Sequence, residues 1–329
     1  MKTIGISGSA LLLFTAGLAL PALAQGPAPW PNRAVRLVIP FAPGGASDFV
    51  GRIIAAPLGQ LLGQQIIADN RGGAAGNIGM EIAAKAAPDG YTLYQGNIGT
   101  LALNPGIYKN LSVRPTRDFA AVTQVVDVPG TLVAHPSLPV RNAKELIAFA
   151  KARPGQINFG SPGGGSANRL EMEFFMRSAG IEMVHIPYKG GAGPAATALM
   201  GGETALMFVT ISSSLTFVKA GRLKALGVVA PQRVAVLPDV PTMAEQGFPQ
   251  MTSGSWQGVL APSGTPREIV DRLFGALQKV MAQPEVVKRL ADGGVDVVVS
   301  KSPEEFAAFI ARETERWGKV IRDANVTAE

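Results

Sequence analysis

The chain contains no cysteine, so disulfides and a lipid anchor on an N-terminal cysteine are both excluded, and stability must rest on core burial. It has two histidines, His135 and His185, and without a thiol beside them no metal site is expected. Lys and Arg outnumber Asp and Glu by 30 to 24, yet they are scattered, with no basic run and no interleaved aromatic platform, which argues against a nucleic-acid partner. Catalytic and cofactor signatures are missing too. There is no G-x-S-x-G elbow, because Phe159 precedes Gly160-Ser161, and the Pro43-Gly44-Gly45 turn lacks the lysine of a P-loop. Gly191-x-Gly193-x-x-Ala196 matches a relaxed dinucleotide fingerprint, but no acidic residue follows at the required spacing, so no cofactor is expected.

Long apolar runs are absent after the first residues, and those residues read as an export signal. Lys2 gives a weakly basic start, Ile4 to Leu20 an apolar stretch, and Ala22-Leu23-Ala24 a small-x-small cleavage pattern. Cleavage after Ala24 would leave 305 of the 329 residues, enough for two domains with real cores. An uncleaved membrane anchor is the alternative, disfavoured by the Gly, Ser and Thr within the run. The mild positive bias that remains fits a small acidic ligand, and fits an ordinary basic surface as well.

Short β-type runs and helical patterns alternate through the mature chain. Strands are expected at Val35 to Ile39, Gln65 to Ala68, Tyr91 to Gln95, Ala120 to Val126, Gly130 to Ala134, Ile157 to Phe159, Met183 to Ile186, Ala205 to Val209, Leu223 to Val229 and Trp256 to Ala261. Helices are expected from about Ser47 to Leu62, with Pro57 kinking or interrupting it, over Met80 to Ala87, from a capping box at Asn142 and Glu145 to Arg153, and from Ala167 to Ala179. Thr265-Pro266 and Ser302-Pro303 open the last helices, and Phe306, Phe309, Ile310 and Trp317 have the spacing of core contacts. Pro238 to Gln250 is turn-rich, with one short helix at most. This alternation indicates an α/β architecture with mostly parallel sheets.

Three glycine-rich strand-to-helix turns carry the chemical signal: Pro43 to Asp48, Ser161 to Asn168 and Tyr188 to Pro194. Glycine is routine in such turns, so each alone says little. Their recurrence in both halves says more. Helix-start amides have no intrahelical partner and the helix end carries partial positive charge, so opposed starts can share one carboxylate. Each end contributes about 0.3–1 kcal/mol and each charge-assisted hydrogen bond about 1.5–3 kcal/mol, against about 8 kcal/mol for micromolar binding. Asp48 would repel an anion and is read as a cap or first-turn acid paired with Arg52. His185, on an apolar strand, is read as a satisfied core histidine rather than a base. Phe41 and Trp256 either line the cleft or join the core; Tyr188 either covers the ligand or braces its loop.

The segments PFAPGGASD, DNRGGAAGNIG, AAPDGYTL, NPGIY, KELIAFAKARPGQINFGSPGGGS, HIPYKGG, VKAGRLKALGV, LPDVPTMAEQGFP, WQGVLAPSGTP and SPEEFAAFI together resemble, in order, the landmarks of the Bug (TctC-like) receptors. These are the exported solute-binding proteins of tripartite tricarboxylate transport systems, and the likeness spans essentially the whole mature chain. It implies a two-lobed periplasmic binding protein of type II (Venus-flytrap) form, each lobe a mixed, mostly parallel sheet flanked by helices. Two crossover strands are placed near Ala121 to Val128 and Ser253 to Leu260. The expected division is 1–24 signal peptide, 25–126 plus 250–329 lobe 1, and 127–249 lobe 2.

The resemblance also implies a site. The first carboxylate loop falls on Phe41 to Asp48, with Phe41, Gly44, Gly45, Ala46 and Ser47 as contacts, and the second on Ser161 to Asn168, with Ser161, Gly165 and Ser166. The tyrosine loop is Tyr188 to Gly191, and Asn97 to Thr100, with both Asn97 and Thr100 counted, is a further cleft loop. Arg169 stands where members often carry histidine; it either favours a second carboxylate or points to solvent. Ala205 and Val209-Thr210 replace more polar residues, which makes the distal pocket more apolar, with Thr210 among its contacts. The expectation is a periplasmic monomer that performs no catalysis, captures a small carboxylate (a di- or tricarboxylate or an aromatic acid) and delivers it to a tripartite tricarboxylate-type permease. Two other classes stay open: a sensor signalling to a membrane kinase, and an exported enzyme on the same fold.

Overall fold

Val35 to Ile39 is an apolar run closed by Pro40, and in the computed structural model it forms β1 (Val35–Ile39). The structure describes residues 30–163, 166–188, 191–251 and 254–323; the expected signal peptide and Gly165 lie outside them. After the Pro43-Gly44-Gly45 turn comes α1 (Ala46–Leu62), whose Val50, Ile53, Ile54, Leu58 and Leu62 share one buried face. Gly63 ends it in the left-handed region (φ 76°), its N–H returning to the Gly59 carbonyl. Pro57 does not interrupt this helix. A mid-helix proline costs about 3 kcal/mol, but Ile53, Ile54, Leu58 and Leu62 are buried on both sides of it and hold the two halves on one core.

Next come β2 (Ile66–Asn70), α2 (Asn77–Ala84), β3 (Thr92–Asn97), α3 (Asn104–Ile107), α4 (Pro115–Asp118) and β4 (Phe119–Asp127). The second helix starts three residues before the expected Met80, because Gly76 at φ 91° already turns the chain. The chain then builds β5 (Gly130–Ala134), α5 (Ala143–Lys151), β6 (Asn158–Ser161), α6 (Ala167–Ala179), β7 (Val184–Pro187), α7 (Ala192–Met200), β8 (Leu206–Thr210), α8 (Ile211–Lys219) and β9 (Lys224–Val229). It returns as β10 (Gln257–Pro262), α9 (Arg267–Met281), α10 (Pro284–Asp292), β11 (Asp296–Val297) and α11 (Pro303–Asp323).

Three caps test the expected helix starts. Asn142 Oδ1 accepts the Glu145 N–H at 2.9 Å, but the Glu145 carboxylate reaches the Arg141 N–H, one residue beyond a reciprocal capping box. Ser302 Oγ accepts the Glu305 N–H at 3.2 Å as expected. Thr265 instead donates backward to the Pro262 carbonyl at 2.7 Å, and Pro266 occupies the cap position without a side-chain bond.

The strands form two sheets, ordered β11-β4-β10-β3-β1-β2 and β7-β6-β8-β5-β9. In each, three strands are parallel (β2, β1 and β3; β7, β6 and β8) and the next strand is antiparallel. That antiparallel strand, β10 or β5, is supplied by a chain segment arriving from the other sheet, so the two lobes are joined by two crossings. Period-two alternation buries both faces of each sheet. Leu37 and Ile39 meet α1 and α9 while Val38 meets Tyr94 and Phe306; Phe208 packs with Phe175 while Val209 packs with Leu199.

The lobes also touch. Ile211 and Leu215 of α8 belong to the same buried cluster as Val286 and Leu290 of α10, and Leu170 of α6 joins the cluster under α11. Gly294 is needed there, since its φ is 72° and a Cβ would come within 2.9 Å of Ile211 and Val236. No described helix is long and apolar enough to cross a membrane.

Candidate ligand-binding cleft

The C-terminal ends of β1, β3, β6 and β8 converge on a cavity with a free volume of about 50 Å³ between the sheets. At roughly 10–15 Å³ per water position, it has room for a few water-sized groups. The first sheet contributes Phe41, Gly45, Ala46, Ser47 and Ala75, with Asn97, Ile98 and Gly99 at the end of β3. The second contributes Pro162, Ser166, Ala167, Asn168, Ala192 and Thr210, and the return crossing adds Ser255 and Gln257.

The turn before α1 is held by side chains. Gly44 (φ 91°) donates its N–H to Asp48 Oδ2 at 3.1 Å, and Asp48 Oδ1 accepts from Arg52 Nε at 2.8 Å. Arg52 continues to Asn70 Oδ1, and Asn70 Nδ2 donates to the Phe41 carbonyl. Asp48 is therefore the first-turn acid expected of it, and the Gly44 amide is already occupied. Helix α1 has no side-chain cap, so its first amides, beside Gly45, Ala46 and Ser47 on the cavity wall, have no intrahelical acceptor.

The turn before α6 is also self-bonded. Ser166 Oγ accepts the Arg169 N–H at 3.3 Å and donates to the Gly163 carbonyl at 2.8 Å. Ser161 Oγ accepts the Gly163 N–H at 3.1 Å and lies 2.6 Å from His185 Nε2. His185 is half-buried on the edge strand β7 rather than in the core, stacked on Phe159 with ring centroids 5.0 Å apart. A serine–histidine contact thus exists that spacing alone did not reveal. Ser161 is fully buried, however, and does not reach the cavity.

Of the expected contacts, Phe41, Gly45, Ala46, Ser47, Asn97, Ser166 and Thr210 line the cavity. Gly44, Thr100, Ser161, Arg169 and Tyr188 do not. Thr100 is buried, exchanging hydrogen bonds with Asn97. Arg169 neither reaches the cavity nor points to solvent: it is buried, with Nε 3.7 Å from Glu173. Tyr188 donates its hydroxyl to Glu203 at 3.2 Å and braces its loop, and desolvation together with the Glu203 charge raises its pKa. The glycines after it serve the approach of the lobes. A Cβ at Gly193 would meet the Pro43 carbonyl at 2.9 Å, and one at Gly191 (φ 106°) the Phe41 ring at 3.2 Å. Trp256 belongs to the core with Phe306 and Phe309, its Nε1 donating to Glu313 at 3.2 Å.

Ala75, Ile98, Gly99, Pro162, Ala167, Asn168, Ala192, Ser255 and Gln257 were not among the expected contacts. Asn168 and Gly99 fall inside the loops already singled out, and Gln257 had a readable signal: an amide side chain opening an otherwise apolar strand. The described lining holds no Lys, Arg or His. Behind Asn168, burial pushes the Glu171 carboxyl up to about 8, with the Asp127 charge adding to the effect. Burial likewise takes Asp127 to about 6, helped by the charges of Asp296 and Glu313. No group of three or more His, Asp or Glu among the described residues is placed to hold a metal.

Two strand-exchanging α/β lobes with a small cavity, uncharged in its described lining, at the facing strand ends define a two-lobed solute-binding protein. The family model for the tripartite tricarboxylate transporter family receptor (TctC) matches residues 50–326. Protein BugT of Bordetella pertussis (strain Tohama I) is 35% identical over 314 residues, 95% of each chain. Two solved structures are similar: R. palustris Rpa4515 with adipate (TM-score 0.87, 34% identity, 91% of this chain and 99% of that one) and MatC (Rpa3494) from Rhodopseudomonas palustris with bound malate (TM-score 0.83, 33% identity, 89% and 100%). The chain belongs to the tripartite tricarboxylate transporter receptor family, the Bug proteins, and is a solute-binding receptor rather than an enzyme.

Proposed function

We propose that this receptor is exported to the periplasm after cleavage behind Ala24, closes its lobes over a small carboxylate, and delivers it to a tripartite tricarboxylate-type permease. Lobe 1 is drawn from 25–126 and 250–329, and lobe 2 from 127–249. The ligand's first carboxylate takes the free amides at the start of α1 beside Gly45, Ala46 and Ser47, with Thr210 facing it from the other lobe. Two or three such bonds, at about 1.5–3 kcal/mol each, supply much of the roughly 8 kcal/mol that micromolar binding requires. The observation that carries this reading is the position of uncharged donors and helix-start amides around a cavity shared by both lobes. Similar receptors solved with adipate and malate support the same ligand class. A thermal-shift panel of mono-, di- and tricarboxylates, aromatic acids, amino acids and sugars tests it. Stabilisation by at least one carboxylate is expected; stabilisation by sugars and by no carboxylate would refute it.

A further inference from the structure

Helix α7 opens on two glycines that are there for different reasons. Gly191 caps it at φ 106°, a left-handed conformation that glycine adopts most readily. Gly193, the second helical residue, has no left-handed φ, and by helix propensity alanine would serve better there. Its own backbone therefore does not ask for glycine.

What glycine supplies at 193 is space toward the other lobe. A Cβ there would lie 2.9 Å from the Pro43 carbonyl oxygen and within 3.9 Å of the Gly44 backbone. Beside it, a Cβ on Gly45 would lie 3.9 Å from the Ala192 methyl. Backbone thus meets backbone where the start of α7 reaches the Pro43 turn, a contact that exists only while the lobes are together.

Neither side can give way locally. The Pro43 turn is braced by the Gly44 N–H to Asp48 and by Asn70 to the Phe41 carbonyl. Helix α7 is anchored by Ala195, Ala196 and Leu199, buried with Val133 of β5 and Met207 and Val209 of β8. Because the obstructing atom belongs to a braced backbone, the least costly relief for a methyl at 193 is to hold the lobes apart. Gly193 does not line the cavity, so the contact acts on closure rather than on the ligand.

We propose that the bare backbone of Gly193 against the Pro43 carbonyl is the closing stop of this receptor, a contact that sets affinity for every ligand through lobe closure while touching none of them. Apparent affinity scales with the fraction of molecules able to adopt the binding-competent arrangement, so a change confined to closure weakens all ligands by one factor. Gly193 is a positioning residue. The choice of probe ligands rests on the carboxylate reading above; the contact does not.

The chain has no cysteine, so a disulfide across the rim reports closure without background. Gly45→Cys with Ala192→Cys sets two Cβ atoms 3.9 Å apart in the closed arrangement, inside the roughly 3.5–4.5 Å that a disulfide spans. The rate of oxidative cross-linking in ligand-free protein is compared with and without Gly193→Ala, and a fall of about tenfold is expected. Calorimetric titration with succinate, glutarate, malate and citrate then compares wild type, Gly193→Ala and Gly201→Ala. Gly193→Ala is expected to weaken every acid that binds by one common factor of about ten, with an unchanged or higher melting temperature for the ligand-free protein. Gly201→Ala, at the far end of the same helix where a Cβ would meet nothing closer than 3.5 Å, is expected to stay within about twofold. No cross-linking with Gly193 in place, or an unchanged rate in Gly193→Ala, overturns the inference whatever ligand binds. A loss of affinity that differs several-fold from one acid to another also overturns it, because it would mark Gly193 as a ligand contact. If none of the four acids binds while cross-linking falls as expected, the carboxylate reading fails and the closing stop stands.

Discussion

The two turns that open α1 and α6 occupy equivalent places at strand ends in opposite lobes, and they are stiffened by different chemistry. The first is held by a charged ring: Gly44 N–H to Asp48, Asp48 to Arg52, Arg52 to Asn70, and Asn70 back to the Phe41 carbonyl. The second is held by hydroxyls, with Ser161 and Ser166 both bonded to Gly163 and Ser161 also to His185. In both, side chains that pattern alone would assign to the ligand are spent on the loop's own backbone. The cavity wall is left with the uncapped backbone at the start of α1 and neutral side chains at the sheet ends.

The largest effect is expected at the charged turn. Asp48 is 9% exposed at its side chain and accepts both a backbone N–H and an arginine N–H, so Asp48→Ala should cost on the order of 1–3 kcal/mol of stability by chemical denaturation. Relaxing the turn that positions the α1 amides should also weaken carboxylate binding about tenfold. Ser161→Ala should cost less, about 1–2 kcal/mol, because its partners are uncharged or shared with Ser166, and carboxylate affinity should fall only a few-fold. Equal losses of affinity in the two variants would remove the distinction between the turns.

The seam between the lobes is expected to respond to pH. Glu171 on α6 and Asp127 at the end of β4 both have pKa values raised by burial, to about 8 and about 6. The unfolded chain releases these protons near 4.5 and 3.8, before the folded protein does. Their contribution is therefore fully present below those values and is lost as pH rises through 6 and then 8. The melting temperature should decline across that window, and Glu171→Gln should flatten the upper part of the decline. A wild-type slope unchanged in this variant would show that Glu171 is not its source. The smallest effect is expected for Tyr188→Phe. Its hydroxyl faces Glu203 rather than the cavity, so carboxylate affinity should stay within about twofold. A tenfold loss would restore Tyr188 to the site.

Strands and glycine turns were legible because their signals are local: β1 and β5 fall on the expected residues, whereas Ser166, expected as a ligand contact, caps α6. Helix α8 was not foreseen. Its ISSSLTFVK sequence has weak helical propensity, and its Ile211 and Leu215 are stabilised by burial against the other lobe, a contact no window of sequence contains. The site divided in the same way. Gly45, Ala46 and Ser47 line the cavity in the turn that the strand–turn–helix pattern singled out, whereas Arg169 lies off it: its pairing with Glu173 is a local i,i+4 contact, and its burial is set by tertiary packing. Gln257 was passed over although an amide opens its apolar strand, and its bond to Gln95, 162 residues away in the chain, lay beyond any sequence window.

Calorimetric titration of the mature protein with succinate, glutarate, malate and citrate tests the central claim most directly. The cleft described here predicts saturable one-to-one binding of at least one of them at micromolar affinity or tighter, diminished by Asp48→Ala. No binding by any of the four or by other carboxylates, with a sugar or an amine binding instead, would contradict it.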